Sequence, residues 1–451
     1  MKKTSFLTLA LLLMISLLAA CGGGGGMPNP ETTGTGGTGT TTGTGSTDTD
    51  SGGDTDADAP ASNVTLKMFQ FKVEIADAME KLLAEYKKET GVTITIETVG
   101  GGADYGAALK AKFASGDEPD IFNNGGFNEA QLWKDRMEDL SDQPWVADLS
   151  DNVKDPMTMD GKLYGLPMNI EGYGFLYNKA LFEQAGITEI PTTLTALREA
   201  AQKLKDAGIT PFENGYQEWW VIGQHLVNDA YAKQEDPDQF VADWRAGKIS
   251  IVDNAVFNDW INLVDLTMEF SNDRPLTTDY NTQMTEFASG MAAMTQQGNW
   301  TQVQIDGIDP ELQVGVLPMP INDDEALNDN IFVGVPNNWV VNKNSANKEE
   351  AKKFLNWMVT SETGKKYTVE EFKFIPALKT ITYEPDQLGT IAAGIQEYVQ
   401  ADKTLGWQWP KLPDGTSQEF GALMQAYVAK KITKEELFKQ MDETVLKLAK
   451  K

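Results

Sequence analysis

The 451-residue chain has one cysteine, Cys21, and one histidine, His225. A single thiol forms no intramolecular disulfide, and neither a multi-cysteine nor a histidine-rich metal site can be assembled. No cofactor is expected. Basic charge is scarce too: 38 Lys and Arg stand against 66 Asp and Glu, for a formal net charge of −28. Phosphate backbones and anionic lipid surfaces need a basic face, so nucleic acid and electrostatic docking on a membrane are excluded as partners. The acidic balance keeps a protein dispersed and says little about its ligand. The apolar run Phe6–Ala20 is too short for a comfortable membrane span of about 20 residues.

That run follows Lys2 and Lys3 and has the layout of a secretory signal. Its end, Leu18-Ala19-Ala20-Cys21, resembles a bacterial lipobox. The resemblance implies removal of residues 1–20, diacylation of Cys21 and lipid anchorage on the extracellular face of a Gram-positive-type cell membrane. Residues 22–63 are rich in Gly and Thr and hold no Lys or Arg. Such a segment builds no core and is expected to be a disordered tether. Its r.m.s. span would be on the order of 35–40 Å.

From residue 64 the pattern changes. "NVTLKMFQF" alternates as a strand, and Ile75, Met79, Leu82, Leu83 and Tyr86 then repeat at helical spacing until Gly91. "VTITIETV" alternates again, "GADYGAALKAKFASG" reads as a helix, and "PDIFNN" as a short buried strand. This order predicts parallel pairing in an α/β sheet. The glycine run "VGGGADYG" fails the dinucleotide fingerprint at Tyr105 and the phosphate loop at Ala107-Ala108. Its glycines are read as a turn or a close backbone approach. Later, Thr193 can cap Leu194–Ala207, and Thr433 with Glu436 forms a capping box.

Five stretches in one order carry a resemblance across nearly all of 64–451. They are "GKLYGLPMNIEGYGFLYNKALFEQAGI", "PTTLTALREAAQKLKDAGITPF", "FASGMAAMTQQGNW", "VGVPNNWVVNKNSANKEEAKKFLNWM" and "FIPALK". Together they resemble the extracellular solute-binding proteins, family 1, of carbohydrate ABC importers, the maltose-binding-protein-like group. The resemblance implies a two-lobed periplasmic-binding-protein-like type II α/β fold with discontinuous lobes and a multi-crossover hinge. Lobe one would be 64–168 plus 319–379, and lobe two 169–318 plus 380–451. Crossovers would lie near Met168–Glu171, near Val316–Pro318 and after "FIPALK". The implied function is capture of an oligosaccharide by a monomer and delivery to ABC permease subunits, without catalysis. At 121–128 "IFNNGGFN" lacks the Trp and the Asp-Arg combination of the maltose binders.

Sugars stack their C–H faces on aromatic rings and bond their hydroxyls to carboxylates and amides. By resemblance Trp300 is a stacking ring or else core, and Glu171 a hinge carboxylate that accepts sugar hydroxyls or else a structural one. Tyr173 lies near it. Gln217, Glu218, Trp219 and Trp220 fall where relatives place a cleft loop. Trp407 and Trp409 would share one side if their segment is extended. Phe69, Gln70 and Phe71 end one strand, and Asn123, Asn124 and Gly125 another, at the rim where open α/β sheets bind ligands. Asp104 is a weaker candidate, and Trp339 reads as core.

Two other readings stand beside this one. A secreted glycan-active enzyme needs only two carboxylates about a scissile bond, and a non-transport carbohydrate adhesin fits the tether. His225 falls in a helical stretch, "WWVIGQHLVNDAY", with no G-x-S-x-G elbow in the chain, and is read as a packing or surface residue outside the site. Trp300→Ala is expected to weaken binding with little loss of stability, by titration calorimetry and thermal melting.

Overall fold

The computed structural model describes residues 63–450, so the leader, Cys21 and the tether up to residue 62 lie outside the described residues. The alternating segments form β1 (Thr65–Gln70), β2 (Thr93–Thr98) and β3 (Ile121–Asn124), separated by helices Ala76–Thr90 and Tyr105–Ser115. Gly91, at φ 76°, ends the first helix and donates its N–H to Lys87 O. A hairpin, β4 (Thr158–Met159) with β5 (Lys162–Leu163), leads to β6 (Leu166–Pro167) and the long β7 (Glu171–Asn178). β8 (Thr210–Phe212), β9 (Ala292–Gly298), β10 (Val314–Leu317), β11 (Ile331–Gly334), β12 (Asn338–Val341) and β13 (Thr404–Gly406) complete the strands.

Apart from that two-stranded hairpin, two larger sheets result. The first runs β2-β1-β3-β12-β6; the second runs β13-β11-β7-β9-β8, with β10 also on β7. β1 pairs parallel with β2 and β3, as the strand–helix–strand order predicts. Crossovers bring the late strand β12 antiparallel to β3. β7 is buried along almost its whole length and pairs with β9, β10 and β11, so the second sheet is organised about it. Helices flank both sheets, in the two-lobed α/β arrangement.

Three chain segments cross between the sheets side by side. Met168 N–H donates to Asn337 O at 3.0 Å, and Ile170 N–H to Ile375 O at 2.9 Å. The middle crossover is not where the sequence reading put it. β11 pairs with β7 through Phe332 and Tyr173, so residues 319–334 stay with the second sheet and the chain crosses at 335–337. The buried Ile331-Phe332 pair holds it there, with the Phe332 ring 5.0 Å from that of Tyr173. Asn322 O, in the same segment, accepts the N–H of Leu194.

The caps agree with the sequence. Thr193 accepts from Ala196 N–H, and Thr433 with Glu436 makes both bonds of a capping box. The stretch after Trp219 is helical, but Val221–His225 is a π turn, continuing as the α-helix Leu226–Ala232. No helix among the described residues is long and apolar enough to cross a membrane.

The π turn packs against helix Thr416–Val428 with almost no separation. A Cβ on Gly223 would lie 2.2 Å from Gly421 N, a backbone atom that cannot swing away. Gly223→Ala is therefore expected to destabilise the protein by about 1–3 kcal/mol through overpacking, measured as a drop in the urea midpoint. Gly307→Ala, whose Cβ would meet nothing within 4 Å, is the control. It should be neutral or stabilising by up to about 1 kcal/mol, because alanine favours the helix.

Candidate ligand site between the two sheets

As β1 leaves the first sheet, the chain runs Phe71, Lys72, Val73, Glu74 along the gap between the two halves. Lys72 is 3% exposed and its ammonium pairs with the Glu171 carboxylate at the start of β7. Burial pushes the Glu171 carboxyl up, while Lys72 and the Asn169 amide oppose the shift. Burial also works against the charge on Lys72, but Glu171 and Glu74 outweigh it and its pKa is raised.

Further contacts join the halves on either side of this pair. The Tyr280 hydroxyl donates to Glu74 at 2.8 Å. Lys110 pairs with Asp414 at 2.6 Å, and the Asn128 amide donates to Leu412 O at 2.8 Å. Gly102, at φ +101°, faces the Glu218 side chain so closely that a Cβ there would lie 2.4 Å from Oε2. The glycine run is thus a close backbone approach, as read from the sequence.

These contacts enclose a cavity of about 300 Å³. From the first half it is lined by Phe71–Glu74, Gly100–Gly106, Gly125, Gly126, Asn128 and Glu129. From the second half come Glu171, Trp219, Trp220, Gln224, His225, Tyr280, Trp300, Trp407, Trp409 and residues 412–418. Pro336 and Asn337, at the middle crossover, complete the wall.

The aromatic wall is one packed group. Trp407 and Trp409 stack at 4.5 Å between centroids, although Gln408 between them has helical and not extended backbone, so their spacing alone is not the reason. His225 lies flat on Tyr173 at 4.6 Å and touches Trp409, Trp300 and Trp220 at 5.1–5.4 Å. Trp300 is 6% exposed, and its indole N–H donates to Gln297 Oε1. A Cβ on Gly334 would lie 2.6 Å from Trp407 Cδ2, so the bare glycine on β11 is what lets that indole lie against the sheet.

The structure brings together Phe71, Asp104, Gly125, Glu171, Trp219, Trp220, Trp300, Trp407 and Trp409 of the candidates read from the sequence. Others fall outside this cavity. Phe69 is core, stacked on Tyr105 at 4.9 Å. Gln70 bonds Thr98, Asn123 accepts Phe71 N–H and Asn124 accepts Gly126 N–H, each buried beneath the rim. Tyr173 supports the wall from behind, its hydroxyl donating to His225 O. Gln217 and Glu218 line a neighbouring cavity of about 260 Å³, together with Gly101, Gly102, Trp219, Asp279, Tyr280 and Asn281. Trp339 is core, 2% exposed.

Two expectations are corrected. His225 lines the cavity, because the π turn directs it among the rings. Burial and the nearby Lys72 hold its imidazole down to about 3, so it is neutral, and its Nδ1 has no partner among the described residues. Trp300 is too buried for truncation to leave stability intact. Trp300→Ala removes an indole from a packed cluster, a change that costs about 3–5 kcal/mol in other cores. The sequence reading missed Lys72, Glu74, Asn128, Glu129, Tyr280, Asn337 and Asp414. Their one available signal is position: Lys72, Glu74, Asn128 and Glu129 follow the ends of β1 and β3 by a few residues.

Two α/β halves joined by three crossovers and closed over a ring-lined cavity define a solute-binding protein of the two-lobed kind. The model of the bacterial extracellular solute-binding protein family matches residues 72–365, and the chain belongs to that family. It is a family of binding proteins. The multiple sugar-binding protein of Streptococcus mutans is 23% identical over 313 residues, 67% of this chain and 73% of that protein. The melibiose/raffinose/stachyose-binding protein of Bacillus subtilis is 25% identical over 303 residues, 64% of this chain and 68% of that one. Among solved structures, a raffinose complex of a solute-binding protein superposes with TM-score 0.74 at 20% identity, covering 86% of this chain and all of the other. A chitin oligosaccharide binding protein gives 0.74 at 22%, covering 86% and 99%. At these identities the superpositions establish the fold.

Lys72→Met would leave the Glu171 carboxylate buried without its counter-charge. It is expected to cost about 3–5 kcal/mol, read from chemical denaturation at pH 7. The double variant Lys72→Met/Glu171→Met should recover much of that loss. Gly334→Ala is expected to displace Trp407, seen as a change in intrinsic tryptophan emission with the fold retained by circular dichroism.

Proposed function

We propose that this protein captures an oligosaccharide between its lobes and passes it intact to the transmembrane subunits of an ABC importer. The observation that carries this is the cavity lining, which combines tryptophans with carboxylates. Flat rings take the C–H faces of sugars, and carboxylates take their hydroxyls. The sugars in the names of the relatives support the class. The adjoining cavity about Gln217 and Glu218 adds room for a further sugar unit. Phe71, Asp104, Gly125, Glu171, Trp219, Trp220, Trp300, Trp407 and Trp409 are the proposed contacts.

The lobes we propose are 64–168 with 335–379, and 169–334 with 380–451. The ligand favours the closed state by touching both lobes at once, and no bond is broken. The protein works as a monomer on the outer face of the membrane, held by a lipid on Cys21 and the tether that follows.

Titration calorimetry against a panel of neutral di- to tetrasaccharides, with mass spectrometry of the recovered sugar, tests this reading. Tight binding and return of the intact sugar are expected. Hydrolysed product would replace it with a glycan-active enzyme, and a flat response to every sugar would overturn the carbohydrate class.

A further inference from the structure

The charge inside the cavity is one-sided. Five carboxylates line it, on Glu74, Asp104, Glu129, Glu171 and Asp414, against a single cation, Lys72. That ammonium is committed to Glu171. Lys110, which is not part of the lining, is taken by Asp414. His225 is neutral and adds no charge. Closing two lobes over carboxylates that lack counter-charge is unfavourable, and a ligand that brings positive charge removes the penalty.

Hydrogen-bond capacity points the same way. Glu129, on the first half, accepts Gly125 N–H with Oε2, and its other oxygen has no partner among the described residues. Glu74 and Glu171 each use one oxygen, leaving the second without a protein partner. Ionised carboxylates accept and do not donate, so in that state the cavity calls for a donor-rich ligand. Asp414, on the opposite half, lies near enough for its charge to act on Glu129. Burial first, and then that neighbouring charge, push its carboxyl up to about 7, while Lys110 opposes the shift. The surrounding indoles favour a cation as well, through their negative faces.

We infer that the cavity is built for a glycan bearing a protonated amine, an oligosaccharide of free amino sugars, with Glu129 as the residue that selects ammonium over hydroxyl. The inference rests on the carbohydrate reading and narrows it. The ammonium sits by Glu129 and adds a second positive charge beside Asp414, which Lys110 alone now neutralises. A uronate-bearing sugar is rejected by the same carboxylates.

The test uses calorimetry at pH 7 with three probe sets of two to five units: β-1,4-linked glucosamine oligomers, cello-oligomers and oligogalacturonates. The expected order is amine over neutral by roughly tenfold or more (about 1.4 kcal/mol), with no measurable binding of the uronates. Glu129→Gln should erase most of the amine preference, lowering affinity for the glucosamine oligomers far more than for the cello-oligomers, with its melting curve confirming the fold. Asp414→Asn, which gives up only an exposed ion pair with Lys110, should reduce the preference with little change in the melting temperature. Equal affinity for amine and neutral oligomers, or a preference that survives both variants, overturns the inference and leaves the carbohydrate reading standing. Binding of neutral sugars from the wider panel, with none for the glucosamine series, does the same. Silence toward every sugar removes both.

Discussion

The buried pair of Lys72 and Glu171 is the contact on which the site depends. One partner leaves the end of β1 in the first sheet, and the other opens β7, the strand about which the second sheet is organised. Moving two charges out of water costs about as much as their attraction returns, so such a pair does little for net stability. Its value is positional. Neither charge tolerates separation from the other, and so the end of β1 is tied to the first crossover. The Lys72 ammonium also sits within 6 Å of the Phe71 and Phe374 rings, which bring the third crossover to the same point.

Around that fixed point the walls differ in kind. The first half contributes backbone and carboxylates on loops. The second contributes Glu171, Asp414 and rings whose mutual stacking leaves little freedom. Tyr173 is fully buried, and its position under His225 transmits the rigidity of β7 to the surface that faces the cavity. A rigid aromatic wall against a loop wall suits a site that must recognise a ring face accurately while the opposite lobe moves onto it.

Much of this was legible in the sequence. Alternation and helical spacing located β1 to β3 and their helices, because each buries one face and little else competes. The ordered motifs pointed to Glu171 and Trp300, and both line the cavity. The rim residues were misplaced by a few positions for a physical reason. Phe69, Gln70, Asn123 and Asn124 still lie within the sheet, where neighbouring strands and helices cover both faces. The cavity begins only where the chain leaves the sheet, at Phe71 and Gly125, and loop carboxylates such as Glu74 and Glu129 carry no periodic signal. His225 was hidden by the π turn, since one extra residue in a turn changes which face a side chain takes without changing the apolar spacing around it. Residues 319–334 were assigned to the wrong half because a short apolar strand does not declare which sheet it will join.

β13 pairs parallel with β11, and the residues just after it supply Trp407 and Trp409. Synthesis runs from the other end. A nascent chain that has already made β1, β7 and Trp300 therefore still holds half a basin, open along the side that the last tryptophans will fill. Solute capture is thus an all-or-nothing property of the finished polypeptide. A chain ending between residues 342 and 403 would keep twelve of the thirteen strands and still lack the two tryptophans that close the cavity wall.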